Sequence, residues 1–160
     1  MKKYFSYFFV MILSCTVLFT TSCSDDDDHP YQRVIDDSDS RVTFGDIDFE
    51  PSDPSWLHTY NNETSVYGGN SEASVHISYI GDSKTGVKQE PTVTIWDGSQ
   101  NVTYKKDQIS KLEVVKVEEP KSFEEPGKIW IVAVIKDKET GEEKELVFVN
   151  DYRVEGGQDQ

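Results

Sequence analysis

Along residues 73–80 apolar and polar side chains alternate, with Val75, Ile77 and Tyr79 at one parity and Ser74, His76 and Ser78 at the other. That period predicts a strand with one face buried. Residues 87–96 repeat it, setting Val93 and Ile95 against Thr92, Thr94 and Trp96. Asp97-Gly98 then supplies a tight hairpin turn, and 101–104 is its short return strand. In 112–118, Leu112 and Val114 share one parity while Val115 and Val117 share the other, so a bulge or change of face is expected near Val114. Residues 129–135 are apolar at both parities, the signature of a central strand covered on both faces. A charged turn at 136–144, containing Gly141, leads to its partner at 146–149. Residues 42–49 are a weaker strand candidate, and 106–111 a candidate for one short helix. In all, about seven or eight strands at hairpin spacing predict an all-β fold. An antiparallel, Ig-like β-sandwich is the leading architecture, with a small β-barrel as the alternative.

One internal stretch breaks the pattern. Residues 50–71 combine Pro51, Pro54, Gly68 and Gly69 with the large aromatics Trp56, Tyr60 and Tyr67, which predicts a long irregular loop. Loops of that length inside a compact domain tend to be functional or disordered. Exposed Trp and Tyr give large rigid contact area for little lost entropy, so they suit stacking on sugar rings or anchoring a protein. Trp56 and Tyr60 are therefore candidate ligand contacts, together with Trp96 at the solvent parity beside Thr92 and Thr94. The competing expectation is that these rings close one end of the core. Trp130, inside a continuous apolar run, is expected to be structural.

The N-terminal residues carry an address. Met1-Lys2-Lys3 precede a mostly apolar run over 4–19 and then Thr20-Thr21-Ser22-Cys23. This is a charged region, an apolar region and a cleavage zone of small residues. It resembles a bacterial lipoprotein precursor, in which the cysteine thiol is acylated and the signal is cut immediately before it. Thr20 stands where that pattern has an aliphatic residue. Ile12-Leu13-Ser14-Cys15 matches the pattern too, but a very short apolar run precedes it and a second apolar patch follows, so Cys23 is the expected lipid attachment site. The next residues, Ser24, Asp25, Asp26, Asp27 and Asp28, resemble the acidic signal that sends lipoproteins of Bacteroides-like bacteria to the outer face of the outer membrane. The resemblance covers 1–28 and implies an outer-membrane protein, lipid-anchored and facing the exterior. Two or more acyl chains, at about 0.8 kcal/mol per buried methylene, hold such a protein firmly without spanning the bilayer.

On this reading 1–22 is a removed signal peptide and 23–41 a lipidated acidic tether. Residues 42–155 form a single β domain, and 156–160 a disordered tail. The 138 residues left after cleavage suffice for one ordinary domain with its own core. Losing Lys2 and Lys3 leaves 14 basic against 30 acidic residues, a formal net charge of −16. Such a surface repels nucleic acid and anionic lipid and favours cationic partners or neutral ligands.

Candidate chemistry is sparse. With Cys15 removed and Cys23 acylated, the domain has no thiol for a disulfide, a zinc site or a nucleophile. His29, His58 and His76 lack metal-ligand spacing to one another, and no Gly-x-Ser-x-Gly elbow is present. Asp46, Asp48, Glu50 and Asp53 gather hard oxygen ligands within eight residues, but without the glycine and closing glutamate of a calcium loop. No catalytic residue, cofactor or metal is expected. The expected function is that of a non-catalytic binding or accessory module for an extracellular glycan, a protein or an outer-membrane assembly. The alternative is an inhibitor or immunity lipoprotein acting on a cationic protein.

Overall fold

The computed structural model describes residues 39–81 and 89–154. Cys23, the acidic run after it, the signal peptide, most of the tether and the 156–160 tail lie outside the described residues. Ten strands and no helix occur within them: β1 (Arg41–Phe44), β2 (Ile47–Phe49), β3 (Ser55–Tyr60), β4 (Glu63–Gly69), β5 (Ser74–Ile80), β6 (Gln89–Trp96), β7 (Asn101–Lys105), β8 (Ile109–Glu118), β9 (Gly127–Lys136) and β10 (Glu143–Val154).

The twelve residues of β10 organise the sheet. On one side β10 pairs with β9 along nearly its whole length, and β9 in turn with β8. On its other side two strands share it. β1 lies antiparallel to 146–149, and β3 then lies parallel to 152–154. From β3 the sheet continues through β4, β5 and β6 to β7 by antiparallel pairing, while β2 extends β1. The β10–β3 pairing is the one parallel contact among the described residues and makes the sheet mixed. Its curl brings β8 up to β6, giving a half-barrel.

Period two sets the two faces. Val42, Phe44, Leu57, Val66, Val75, Ile77, Tyr79, Val93, Ile95, Ile129, Ile131, Ala133, Ile135, Leu146, Phe148 and Tyr152 point into the curl and form one core. At about 25 cal/mol per Å² of apolar surface removed from water, burial of this set is the main stabilising term. Gly68 faces inward as well. A Cβ there would sit 2.8 Å from the Phe148 ring, so its lack of a side chain makes room for the largest inward ring of β10.

The all-β expectation is met, with ten strands in a single curled sheet. That order lies nearer the barrel alternative than two facing Ig-like layers. The bulge expected near Val114 is present as a register shift between Val114 and Lys116. Two local expectations are corrected. The 42–49 segment is two strands joined by a turn at Gly45, whose φ of 58° suits a residue without a Cβ. Residues 106–111 are not helical: a turn leads into β8 at Ile109, which is buried. One apolar residue in six is too few to cover a helix, whereas Ile109 suffices to fill one inward strand position.

Candidate functional site

The largest correction falls on 50–71, where the long irregular loop is instead the β3–β4 hairpin. Its turn is Asn61-Asn62, with φ values of 49° and 62°, the left-handed pair of a two-residue type I′ turn, which asparagine tolerates well. Ser55 and Leu57 on β3, and Thr64, Val66 and Gly68 on β4, face the core. The outward positions hold the rings. Trp56 is 44% exposed, Tyr67 54% and Tyr60 69%.

Trp56 stands directly across from Tyr67 in the β3–β4 register. On its other side is Phe123, 67% exposed, with ring centroids 6.4 Å apart and planes tilted by 42°. The Arg153 guanidinium lies 5.0 Å from the centre of the Phe123 ring, within cation–π range. Its Nε donates a 3.1 Å hydrogen bond to the Phe123 carbonyl. A 430 Å³ hollow opens beside these rings, lined by Trp56, Tyr67, Arg153, Asp53, Ser52 and Asn70 among others. Three exposed aromatics, a guanidinium and a carboxylate therefore converge at one end of the outer face.

Buried polar contacts fix this arrangement. Asn150 on β10 is 2% exposed and faces the core at the fork where β1 gives way to β3. Its Nδ2 donates to the Asp53 carbonyl at 3.1 Å and to Ser55 Oγ at 2.8 Å, which clamps the entry to β3 one residue before Trp56. Ser52 N–H donates to the Gly69 carbonyl, and Asn70 bridges the Glu50 carbonyl and the N–H groups of Glu72 and Ala73. The Phe123 loop is tied down from below, because the Tyr152 hydroxyl donates to Glu119 Oε2 at 3.2 Å. Burial first, and the Glu119 carboxylate second, push that phenol up to about 12. Gly127 lets the loop close, since a Cβ there would lie 2.1 Å from the Glu118 carbonyl oxygen.

The other outward positions of this half of the sheet are mostly small and polar. Thr94 bonds Thr103, Ser78 bonds Thr92, and His76 stands between Tyr67 and Thr94 in the register. Crowding by these neighbours desolvates His76 and lowers its pKa from the usual histidine value, against a smaller upward pull from Glu63. Apart from the tyrosine phenols, the buried polar side chains among the described residues are Ser55, Thr64 and Asn150, none of which titrates, and no three His, Cys, Asp or Glu side chains of the described residues are gathered for a metal. Asp48 is paired with Arg41 across β1 and β2.

The structure puts the three sequence candidates in different places. Trp56 is the centre of the cluster. Tyr60 lies on the same face of β3, four residues or about 13 Å along the strand at 3.3 Å per residue, beside the hairpin turn. Trp96 is half-buried and three strands away on β6, opposite Ser74 and Asn101. Sequence reasoning missed Tyr67 as a contact and missed Phe123 and Arg153 altogether. Phe123 had a signal, as the lone large apolar residue in the charged stretch 121–125. Arg153 had none, because its role depends on β10 crossing beside β3. Searches against protein-family models, characterised proteins and solved structures found no match to this chain.

Proposed function

We propose that this chain is a lipid-anchored surface protein whose β domain binds an extracellular ligand, a neutral glycan before a protein, on the outward rings of β3, β4 and the 119–126 loop. One observation carries the ligand half of this reading: Trp56, Tyr67 and Phe123 remain 44–67% exposed while standing side by side, and Trp56, Tyr67 and Arg153 line a hollow. Single exposed rings are ordinary on protein surfaces, but a contiguous, immobilised set marks a binding surface. A flat ring gives its face to the C–H side of a sugar. Asp53, Arg153 and the Tyr67 hydroxyl supply hydrogen bonds at the rim. The anchor half rests on the N-terminal resemblance, with Cys23 as the lipidated residue and Ser24 to Asp28 as the export signal.

Binding of soluble neutral oligosaccharides, followed by intrinsic fluorescence, tests the ligand half. Trp56→Ala and Phe123→Ala are each expected to lower affinity about tenfold, equivalent to ~1.4 kcal/mol of lost contact. The unfolding midpoint should scarcely move, because rings so exposed contribute little to the core. Midpoints that fall steeply, with affinity unchanged, would assign both rings to stability. Mass analysis of the mature N-terminus tests the anchor half, with acyl chains on Cys23 expected and a mature chain starting at Cys15 excluding it.

A further inference from the structure

The hollow beside Trp56 and Tyr67 does not stop at those rings. Gly69 of β4 is part of its lining, and the strand register carries that low ground onward. Gly69 stands directly opposite Ser74 of β5, and Ser74 directly opposite Trp96 of β6. This is the last rung of the β4–β5 hairpin before its turn at 70–73. It is packed too closely for a larger residue, since a Cβ on Gly69 would lie 2.5 Å from that of Ser74. Two residues along each strand runs a second, taller row. Arg153, Trp56, Tyr67 and His76 stand each opposite the next from β10 to β5, and His76 is exposed like the two rings before it. A shelf of glycine and serine therefore leads from the hollow along the flank of Tyr67 and His76. At its far end stands Trp96, outward and half-buried.

We propose that the ligand is an unbranched chain of sugars that starts in the hollow at Trp56 and crosses β4 and β5 over Gly69 and Ser74 to stack on Trp96. The inference rests on the neutral-glycan reading above and adds to it a chain length, a second aromatic contact and His76. Distance fits such a ligand. From β3 to β6 is three strand spacings, about 14 Å, and an extended pyranose chain advances by about one spacing per sugar, so about four sugars reach from ring to ring. A ring at each end offers a stacking face to a terminal sugar, and the low shelf between them leaves room for the middle ones. Polar groups lie along the same path. Desolvation lowers the pKa of His76 from the usual histidine value, so at neutral pH its imidazole is uncharged, with one donor and one acceptor for sugar hydroxyls. Ser74 adds a hydroxyl from the shelf itself. A single sugar or a disaccharide is too short to touch both Trp56 and Trp96.

The test is calorimetric titration of the native protein with unbranched β-1,4-linked gluco- and manno-oligosaccharides of two to six units. Affinity is expected to rise about tenfold or more from the disaccharide to the tetrasaccharide and then to level off. Trp96→Ala and His76→Ala should each remove most of that rise and leave disaccharide binding unchanged, whereas Trp56→Ala should weaken every length. If Trp96→Ala fails to fold, Ser74→Lys decides instead, because its side chain would lie across the shelf without entering the core. It is expected to reproduce the loss for the longer chains alone. Affinity independent of length, or a rise that Trp96→Ala and Ser74→Lys leave intact, would overturn the path across β4 and β5 while the site at Trp56 stands. Absence of binding at every length would overturn the path and the glycan reading together.

Discussion

Asn150 carries more of the site than any aromatic ring does, though it touches none of them. Its amide occupies the point where β10 exchanges one neighbour for another, and there it satisfies the Asp53 carbonyl and orients Ser55. No buried side-chain polar atom among the described residues lacks a partner, so removing this amide takes the donor from the buried Ser55 hydroxyl and from the part-buried Asp53 carbonyl. Asn150→Ala is expected to cost about 1–3 kcal/mol, the usual penalty for stranding buried polar groups, read as a lower urea midpoint at constant slope. It should also weaken ligand binding, because the Pro51–Pro54 turn that positions Trp56 loses its clamp. Asn150→Leu restores volume without the hydrogen bonds and is expected to repair neither effect.

At the scale of elements, the strands with a clean alternation were legible from sequence. Val75, Ile77 and Tyr79 of β5 and Val93 and Ile95 of β6 are all buried, as their parity requires. The doubly apolar run in β9 does become a central strand, flanked by β8 and β10. The β3–β4 hairpin was illegible for a physical reason. Its inward positions include Ser55, Thr64 and Gly68, small or polar residues that fit under Phe148 or bond locally, while its outward positions hold Trp56, Tyr60 and Tyr67. The expected pattern is inverted, and inversion of this kind is what a sheet that binds through its solvent face would require. The parallel β10–β3 pairing was hidden too, since it joins residues 97 positions apart over only three pairs. The β6–β7 hairpin shows the opposite case, a turn written in its residues. Asp97 Oδ1 accepts from the N–H groups of Ser99 and Gln100 and from Ser99 Oγ, and these bonds lower its pKa to about 2. A carboxylate depressed in the folded state contributes stability above its ordinary value of 3.8, lost as pH falls through about 2. Asp97→Ala should therefore lower the thermal midpoint at neutral pH, and the gap to the native protein should narrow below pH 4.

For the whole molecule, the half-barrel separates its two surfaces. The inner face is filled by one core, and the outer face divides into an exposed aromatic end on β3 and β4 and a buried apolar cluster on β9 and β10. The edge strands are guarded by charge. Lys105 and Lys106 end β7, while Lys111, Glu113, Lys116 and Glu118 line β8. Such edges resist pairing with other sheets. The formal charge of −16 expected for the mature chain gives the two readings of its partner opposite salt responses. Attraction to a cationic protein is screened as ionic strength rises, whereas stacking of sugar on aromatic rings is not. The most direct measurement is titration of neutral oligosaccharides into the native protein and its Trp56→Ala variant at low and at high salt. The account predicts saturable binding by the native protein that salt leaves unchanged and that the variant loses. Binding confined to cationic proteins, abolished by salt and indifferent to Trp56, would contradict it.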